Sequence, residues 1–299
     1  MKNIIFFGYG SEYLLSPLIK HLGEFNVVEI NNYEKKHNLE NLKKNNYDAI
    51  VFSSHLNLDK FLYNVYYENI ENFISPIDIL NQLKIKKKYY LIHDLTDFYL
   101  NEEINLLDKI DKIFSPIDYD DPLFGVKVEN IGWIKSFKSS HGSEIINKKI
   151  FFLSDIGYYE KNFENFINDF KEIIKDIDYY KLPSMKTRPS KIVNYFSENK
   201  INEISDKESS YNYLKNNQIY TNGISSIIFE TLLHKNFVKV IKSTTNSFYE
   251  YNNLLKNPFT KFNLIRKLNF SDDLIEILPN EVELNIEFDF SKFKNFLRI

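Results

Sequence analysis

Residues 218–241 constrain the fold of this chain more than any other stretch. Gln218, Ile219 and Tyr220 make a short β-prone run, and Thr221, Asn222 and Gly223 supply turn chemistry. Gly223 is free to take positive φ in such a turn. Ser225 and Ser226 then stand where a helix needs caps, and Ile227, Ile228, Phe229, Leu232 and Leu233 would bury one broad side of it. Asn236 closes the helix and a β-branched run follows at once. The stretch reads as strand, tight polar turn, helix, strand.

The same alternation runs through the whole chain and restarts once. Residues 4–7 are an apolar run that the Gly8-Tyr9-Gly10-Ser11 turn leads into a helix reaching His21. Strands are expected at 26–30, 48–53, 89–92, 111–114 and 126–128, with helix over 58–84 and Ser75-Pro76 starting its second half. Ser136 to Ser143 is polar, small and without periodicity, which marks a linker. Beyond it come a strand at 149–153, a loop Ser154-Asp155-Ile156-Gly157, a helix at 160–176, a strand at 178–182, a further β-prone run at 200–204 and a short helix at 207–215. Strands separated by helices imply parallel sheets covered on both faces. The domains are therefore set at 1–138 and 148–285, with 286–299 a terminal helix rich in Phe and Lys that would cross back to the first domain.

Composition narrows the function classes. At 299 residues the chain can bury two cores, and 43% hydrophobic with 26% charged residues describes a globular protein. The net charge of −3 gives no sequence-independent pull toward nucleic acid. Lys86-Lys87-Lys88 is a short basic run, read as a solvated helix end. The absence of cysteine excludes thiolate catalysis and cysteine metal sites and suits a cytoplasmic location. The first residues do not have the form of a signal peptide, and no run is apolar enough to span a bilayer, so membrane contact would be peripheral. Neither a P-loop nor a Ser-His-Asp spacing points to kinase or hydrolase chemistry.

The turn before Ser226 has the physics of an anion site: free N–H groups, the positive end of a helix dipole and two hydroxyls together. Glu230 lies four residues beyond Ser226, where a capping-box carboxylate would stand three beyond its cap. Ser-Ser-x-x-x-Glu between a strand and a helix resembles the donor-binding motif of GT-B fold glycosyltransferases. The resemblance implies that Ser225 and Ser226 hold the donor phosphate and Glu230 the nucleotide ribose. An ordinary capped helix with a surface glutamate is the alternative. The layout of the chain fits the GT-B plan of two Rossmann-like domains whose parallel sheets face an interdomain cleft.

Other candidates fall at strand ends. Gly8-x-Gly10 with Glu29 suggests a dinucleotide turn, but Tyr13 stands where the third glycine belongs. In the GT-B reading Gly8, Tyr9, Gly10 and Ser11 form an acceptor-side loop instead. His93-Asp94-Leu95-Thr96-Asp97 follows the fourth main strand of the first half. Asp94 is the first choice for the general base that an inverting transferase needs, with His93 and Asp97 behind it and a helix cap as the alternative role. Residues 89–94 also resemble the corresponding strand of phage DNA β-glucosyltransferases, where an aspartate at the strand end is the base. Asp118-Tyr119-Asp120-Asp121 resembles the Asp-x-Asp metal motif of GT-A enzymes, but Pro116 and Pro122 make a surface turn an equal account. Lys181 precedes Leu182-Pro183, near where bacterial sialyltransferases carry His-Pro; no histidine stands here, which puts a CMP-sialic acid donor in doubt. Lys181, Lys186 or Arg188 would offer countercharge to a donor phosphate, and Gly157 would line the donor side.

The expectation is a glycosyltransferase moving a sugar from a nucleotide-sugar donor, UDP- or CMP-type, to an acceptor hydroxyl in bacterial surface-glycan biosynthesis. It would require no metal or other cofactor. The acceptor would be a glycan or lipid-linked saccharide, with DNA carrying a modified base as the runner-up. A nucleotide-sugar 2-epimerase or a GT-B-like binding protein without turnover are the further alternatives.

Overall fold

A computed structural model describes residues 1–9, 12–31, 38–56, 58, 60, 73–92, 106–118, 125–138, 145–183, 188–205, 208–223, 225–245, 273–281 and 287–298. The chain divides into two units, Met1–Lys138 with Leu284–Ile299, and Ser139–Glu283. The boundary after Lys138 falls inside the polar run 136–143. Both units are α/β, each with one six-stranded, mostly parallel, Rossmann-like sheet.

In the first unit, β1 (Asn3–Phe7), β2 (Asn26–Ile30), β3 (Asn46–Phe52), β4 (Lys84–Leu91), β5 (Lys112–Ser115) and β6 (Lys127–Asn130) are all parallel, in the order β2-β1-β3-β4-β5-β6. Ile4, Ile5, Phe6 and Phe7 of β1 are all buried, as a strand covered on both faces requires. Described helices are α1 (Glu12–Ile19), α2 (Leu39–Leu42) and α3 (Pro76–Gln82). Ser75 caps α3 by accepting from the Asp78 N–H at 3.1 Å, with Pro76 in the first turn where its missing N–H costs nothing. One expectation fails here. Lys86, Lys87 and Lys88 lie in β4, which begins five residues before residue 89, and not at a helix end. Backbone pairing to β3, Ala49 opposite Lys87 and Ile50 opposite Lys88, overrides the charge pattern, and Lys86 finds Asp48 at 2.7 Å.

The second unit contains β7 (Lys149–Phe152), β8 (Tyr179–Lys181), β9 (Asn202–Ile204), β10 (Gln218–Asn222), β11 (Val238–Ile241) and β12 (Leu274–Ile277), ordered β12-β11-β10-β7-β8-β9. Only the pairing of β12 with β11 is antiparallel. Its described helices are α4 (Ile156–Lys161), α5 (Phe163–Ile174), α6 (Ser190–Glu198) and α7 (Ser226–Leu233). The single helix expected at 160–176 is thus two, broken at Asn162 (φ −115°, ψ 60°), and Ile156 and Gly157 are helical rather than loop. Thr221 and Asn222, expected in the turn, belong to β10. The short helix expected at 207–215 is a 3₁₀ turn at Ser210–Tyr213. On α5, Phe166, Phe170 and Ile174 recur every fourth residue and face the sheet. Helix α7 differs from its neighbours because all residues from Ile227 to Leu233 are buried, Glu230 and Thr231 included. Besides β10 and β11, the 3₁₀ turns at Ser210–Tyr213 and Pro279–Glu281 pack on it.

The chain then returns to the first unit as α8 (Phe290–Arg298). Phe293 and Leu297, four apart, enter the core beside Phe6, Leu14, Leu18 and Phe114. The Phe293 ring meets Phe114 edge-on at 5.5 Å, and the Tyr89 hydroxyl donates to the Phe296 carbonyl at 3.1 Å. Arg298 and Lys294 both reach Glu24 at 2.7 Å. Those two hydrogen-bonded cations, Arg298 first, hold the Glu24 carboxyl down to about 2. Entry to this helix depends on Gly132 (φ +77°), where a Cβ would lie 1.6 Å from the Glu287 carbonyl oxygen. The Asp289 N–H donates to the Ile131 carbonyl at 2.8 Å just beyond that crossing.

Candidate functional site

Open α/β sheets bind ligands outside the carboxyl ends of their strands, at the point where the strand order reverses. In the second sheet that point lies between β7 and β10, since the chain proceeds from β7 to β8 and β9 on one side and then to β10 on the other. Phe152 and Thr221 are in register there, and the Thr221 hydroxyl donates to the Phe152 carbonyl at 2.9 Å. Beyond them the two loops are tied by short polar side chains. The Ser154 N–H donates to the Asn222 carboxamide oxygen at 2.8 Å, and the Ser154 hydroxyl donates to the Asn222 carbonyl at 3.0 Å.

Each flank of this junction has a distinct conformation. On the β7 side Asp155 is left-handed (φ 56°, ψ 33°) and its carbonyl accepts the Tyr158 and Tyr159 N–H groups that open α4. Gly157 follows in the first turn of α4, exposed, with nothing within 4 Å of a Cβ placed on it and no positive φ. Neither strain nor crowding demands glycine at that position, and in a helix it costs roughly 1 kcal/mol against alanine. On the β10 side Gly223 takes φ +60°. Ser225 is extended (φ −138°, ψ 140°) and is the N-cap of α7, its hydroxyl accepting the Ile227 N–H at 3.4 Å. Ser226 is the first helical residue, and its hydroxyl donates to Glu230 Oε1 at 3.1 Å. Glu230 is only 1% exposed. No capping box forms, because Ile228 occupies the position three beyond the cap.

The structure therefore brings Gly157, Gly223, Ser225, Ser226 and Glu230 to the two loops of one switch point, and it shows a contact that the sequence reading did not foresee. Ser154 and Asn222 are the tie between the loops. From sequence Ser154 reads as part of the loop after β7 and Asn222 as a turn residue, and no local pattern pairs them. Lys181, also at a strand end, is 5% exposed and donates its ammonium to the Ser205 carbonyl. Arg188 pairs with Glu203, and Lys186 lies outside the described residues. Hollows of about 410 Å³ around Glu172, Tyr220 and Lys239, and about 390 Å³ around Lys148, Asp178 and Lys215, lie elsewhere; the second sits at the amino ends of β7 and β10.

The first sheet has its own reversal between β1 and β3. Gly8 donates to the Ile30 carbonyl at 3.0 Å and Ser53 to the Phe7 carbonyl at 2.8 Å, while Ser53 and Ser54 are both buried. Tyr9 is buried as well. Its ring stacks on Phe73 at 5.7 Å and meets Phe7 at 4.8 Å, and its hydroxyl accepts the Ile74 N–H at 3.3 Å. Glu29, the acid of the dinucleotide alternative, accepts the Ser16 hydroxyl at 2.7 Å. Gly10, Ser11, His93, Asp94 and Asp97 lie outside the described residues; Ile92, whose N–H donates to the Phe114 carbonyl at 3.0 Å, is the last described position before them. Asp118 accepts from the Asn130 carboxamide at 2.9 Å, and Asp120 and Asp121 are not described. Among the described residues no group of three or more acidic or histidine side chains could hold a metal ion, and no helix is long and apolar enough to cross a membrane.

No protein-family model matches the chain, and no curated protein matches it. Among solved structures it is similar to one titled as the TorS sensor domain–TorT complex in the absence of ligand, at 10% identity over 96% of each chain and a TM-score of 0.24. A likeness at that level carries no argument about fold or function.

Proposed function

We propose that the protein is a GT-B fold glycosyltransferase that holds a nucleotide-sugar donor at the β7/β10 junction and transfers the sugar to an acceptor hydroxyl. The observation that carries the reading is the pairing of a serine-capped helix start with two glycines and a Ser154–Asn222 tie at a strand-order reversal. Such a junction favours a diphosphate, because the Ile227 and Ile228 end of α7 presents the positive end of a dipole and the nearest side chains are hydroxyls. The Ser226 hydroxyl donates its hydrogen bond to Glu230, so toward a ligand its oxygen offers lone pairs rather than a donor. It therefore suits a ribose hydroxyl, while the phosphoryl oxygens fall to the backbone and to Ser225. Glu230 serves the ribose through Ser226 and without touching the ligand.

In transfer, the acceptor oxygen bonds to the sugar's anomeric carbon as the bond from that carbon to the donor phosphate breaks. The acceptor proton goes to a general base, for which Asp94, following β4, is the assignment made from sequence. The departing nucleotide keeps the electron pair, and the α7 amides stabilise its added charge without a metal. A bacterial surface glycan remains the acceptor class this reading favours.

The test is a thermal-shift panel of UDP, CMP, CDP, GDP and dTDP, with and without Mg²⁺. One nucleotide is expected to raise the unfolding temperature, and Glu230→Ala or Ser226→Ala to weaken its binding about tenfold or more. With that donor in hand, Asp94→Asn is expected to lower kcat about 100-fold while the donor still binds, and EDTA to leave turnover intact. A chain that no nucleotide stabilises overturns the reading.

A further inference from the structure

We infer that Asn222 is a ligand-contacting residue, its carboxamide nitrogen donating to an anionic oxygen, phosphoryl in class, of the group bound at the β7/β10 junction. The inference rests on the reading above and adds to it a residue which the Ser-Ser-x-x-x-Glu motif does not include.

Asn222 is 0% exposed, yet half of its side chain does no work in the fold. Its Oδ1 accepts the Ser154 N–H at 2.8 Å, while its Nδ2 is buried and has no hydrogen-bond partner among the described residues. Exchanging oxygen and nitrogen is no remedy, since the nitrogen would then face the Ser154 N–H. A buried donor without an acceptor is costly, and few native groups are left so. Aspartate at 222 would also accept from Ser154 and would bring no idle N–H groups. Asparagine here makes sense if a second acceptor comes from outside the chain.

Position and chemistry name the acceptor. Asn222 ends β10, one residue before the Gly223 turn and four before α7, so its carboxamide lies between the β7 loop and the helix start. The other side chains at that point are largely committed: Ser226 donates to Glu230, and Ser225 accepts from Ile227. The Ile227 and Ile228 N–H groups are held by the Ser225 hydroxyl and carbonyl, so what the junction still offers is the carboxamide donor, beside the positive end of the α7 dipole. A donor without a partner at that place suits an oxygen anion. Because Nδ2 is shielded from solvent, the oxygen reaches it as the turn shifts, and the flanking Gly223 (φ +60°) has no side chain to clear. Gly157 leaves the opposite flank equally open.

The probes are inorganic pyrophosphate, then UDP and CMP, titrated into ¹⁵N-labelled full-length protein. The Asn222 carboxamide resonances, assigned by their loss in Asn222→Asp, are expected to shift with the same Kd as the backbone amides of Ile227 and Ile228. Asn222→Asp keeps the acceptor for Ser154 and replaces the donor by negative charge. It is expected to weaken pyrophosphate about 30-fold or more, the scale of a charge-assisted hydrogen bond, with the backbone spectrum otherwise retained. Should that variant not fold, the carboxamide is assigned by its nuclear Overhauser contacts with the Ser154 amide, and the wild-type titration decides alone. Shifts at Ile227 and Ile228 with none at the Asn222 carboxamide overturn this inference and leave the proposed function standing. Shifts at none of these positions overturn both.

Discussion

The two sheets meet the same problem at their reversal points and solve it with different side chains. Between β1 and β3 the space beyond the strands is taken by an aromatic: Tyr9 is stacked on Phe73 and its hydroxyl is occupied by a backbone N–H. Between β7 and β10 the loops are held by serine, asparagine and glycine, which fix the backbone without filling the volume outside it. Ring stacking stabilises by removing surface from water, whereas the Ser154–Asn222 tie adds order at little gain in buried area. An edge built the second way is the one suited to admit a polar ligand. The comparison separates Tyr9, read from sequence as an acceptor-side residue, from the Ser225 and Ser226 turn.

The largest effect expected from this contrast is on stability in the first unit. Gly132→Ala forces a left-handed φ on a residue with a Cβ and drives that atom into the Glu287 carbonyl. A loss on the order of 3 kcal/mol or more is expected, with release of α8. Trp133, the single tryptophan, is buried beside it and reports urea unfolding of the first unit by its fluorescence. An unchanged midpoint would mean that the returning segment contributes little. Next, Tyr9→Phe strands the Ile74 N–H and is expected to cost the first unit about 1–3 kcal/mol while leaving nucleotide binding as it was. Weaker binding with full stability would reverse the roles given to the two sheet edges.

Acid should separate the units further. Burial, aided by the charge of Lys215, pushes His234 at the end of α7 down to about 4, and its ring lies 4.2 Å from Tyr211. The unfolded chain takes up that proton near the ordinary value of 6.5, so between 6.5 and 4 it binds more protons than the folded one. Stability of the second unit therefore falls as pH drops through that window. Amide exchange along β10 follows it, and His234→Gln should flatten the slope. Glu24 works in the same sense in the first unit, but in a lower window. Its contribution is complete above 4.5 and is lost as pH falls toward 2. Because Glu24 is exposed and its partners are screened by solvent, Glu24→Gln is expected to give the smallest change of the series, confined to the acid limb of the Trp133 signal. A first unit that melts before the second on acidification would contradict this order.

Local patterns were readable and nonlocal ones were not. The stretch from β10 through α7 to β11 could be recognised because its apolar spacing, cap and turn residues agree with one another within a few turns of chain. Helix α6 and strand β12 were not anticipated. On α6 only Ile192 and Phe196 are fully buried, behind Pro189, and β12 carries exposed Leu274 and Glu276 with a single buried residue, Ile277. Its place is fixed by pairing with β11, which no local pattern announces. The lysines of β4 misled for the same reason. At the site the serines were legible as caps, but a carboxylate on a helix reads as exposed, and only the packing around α7 shows Glu230 enclosed. Asn222 read as a turn residue because asparagine before glycine is turn chemistry; strand register with Ile241 places it in the sheet instead.

The return of the chain to its starting unit makes the second unit an insertion between residues 138 and 284 of the first. On a ribosome the order of completion is then reversed: the second unit has all of its chain while the first still waits for Phe293 and Leu297 to close its core. Lys2 donates to the carbonyl of Arg298, so the two extremities of the first unit already touch. A circular permutant that joins them and opens the chain after Lys138 would convert a nested order into a tandem one, each unit continuous in sequence. Comparing its refolding with that of the parent would measure how long the first unit is held incomplete by the unit encoded inside it.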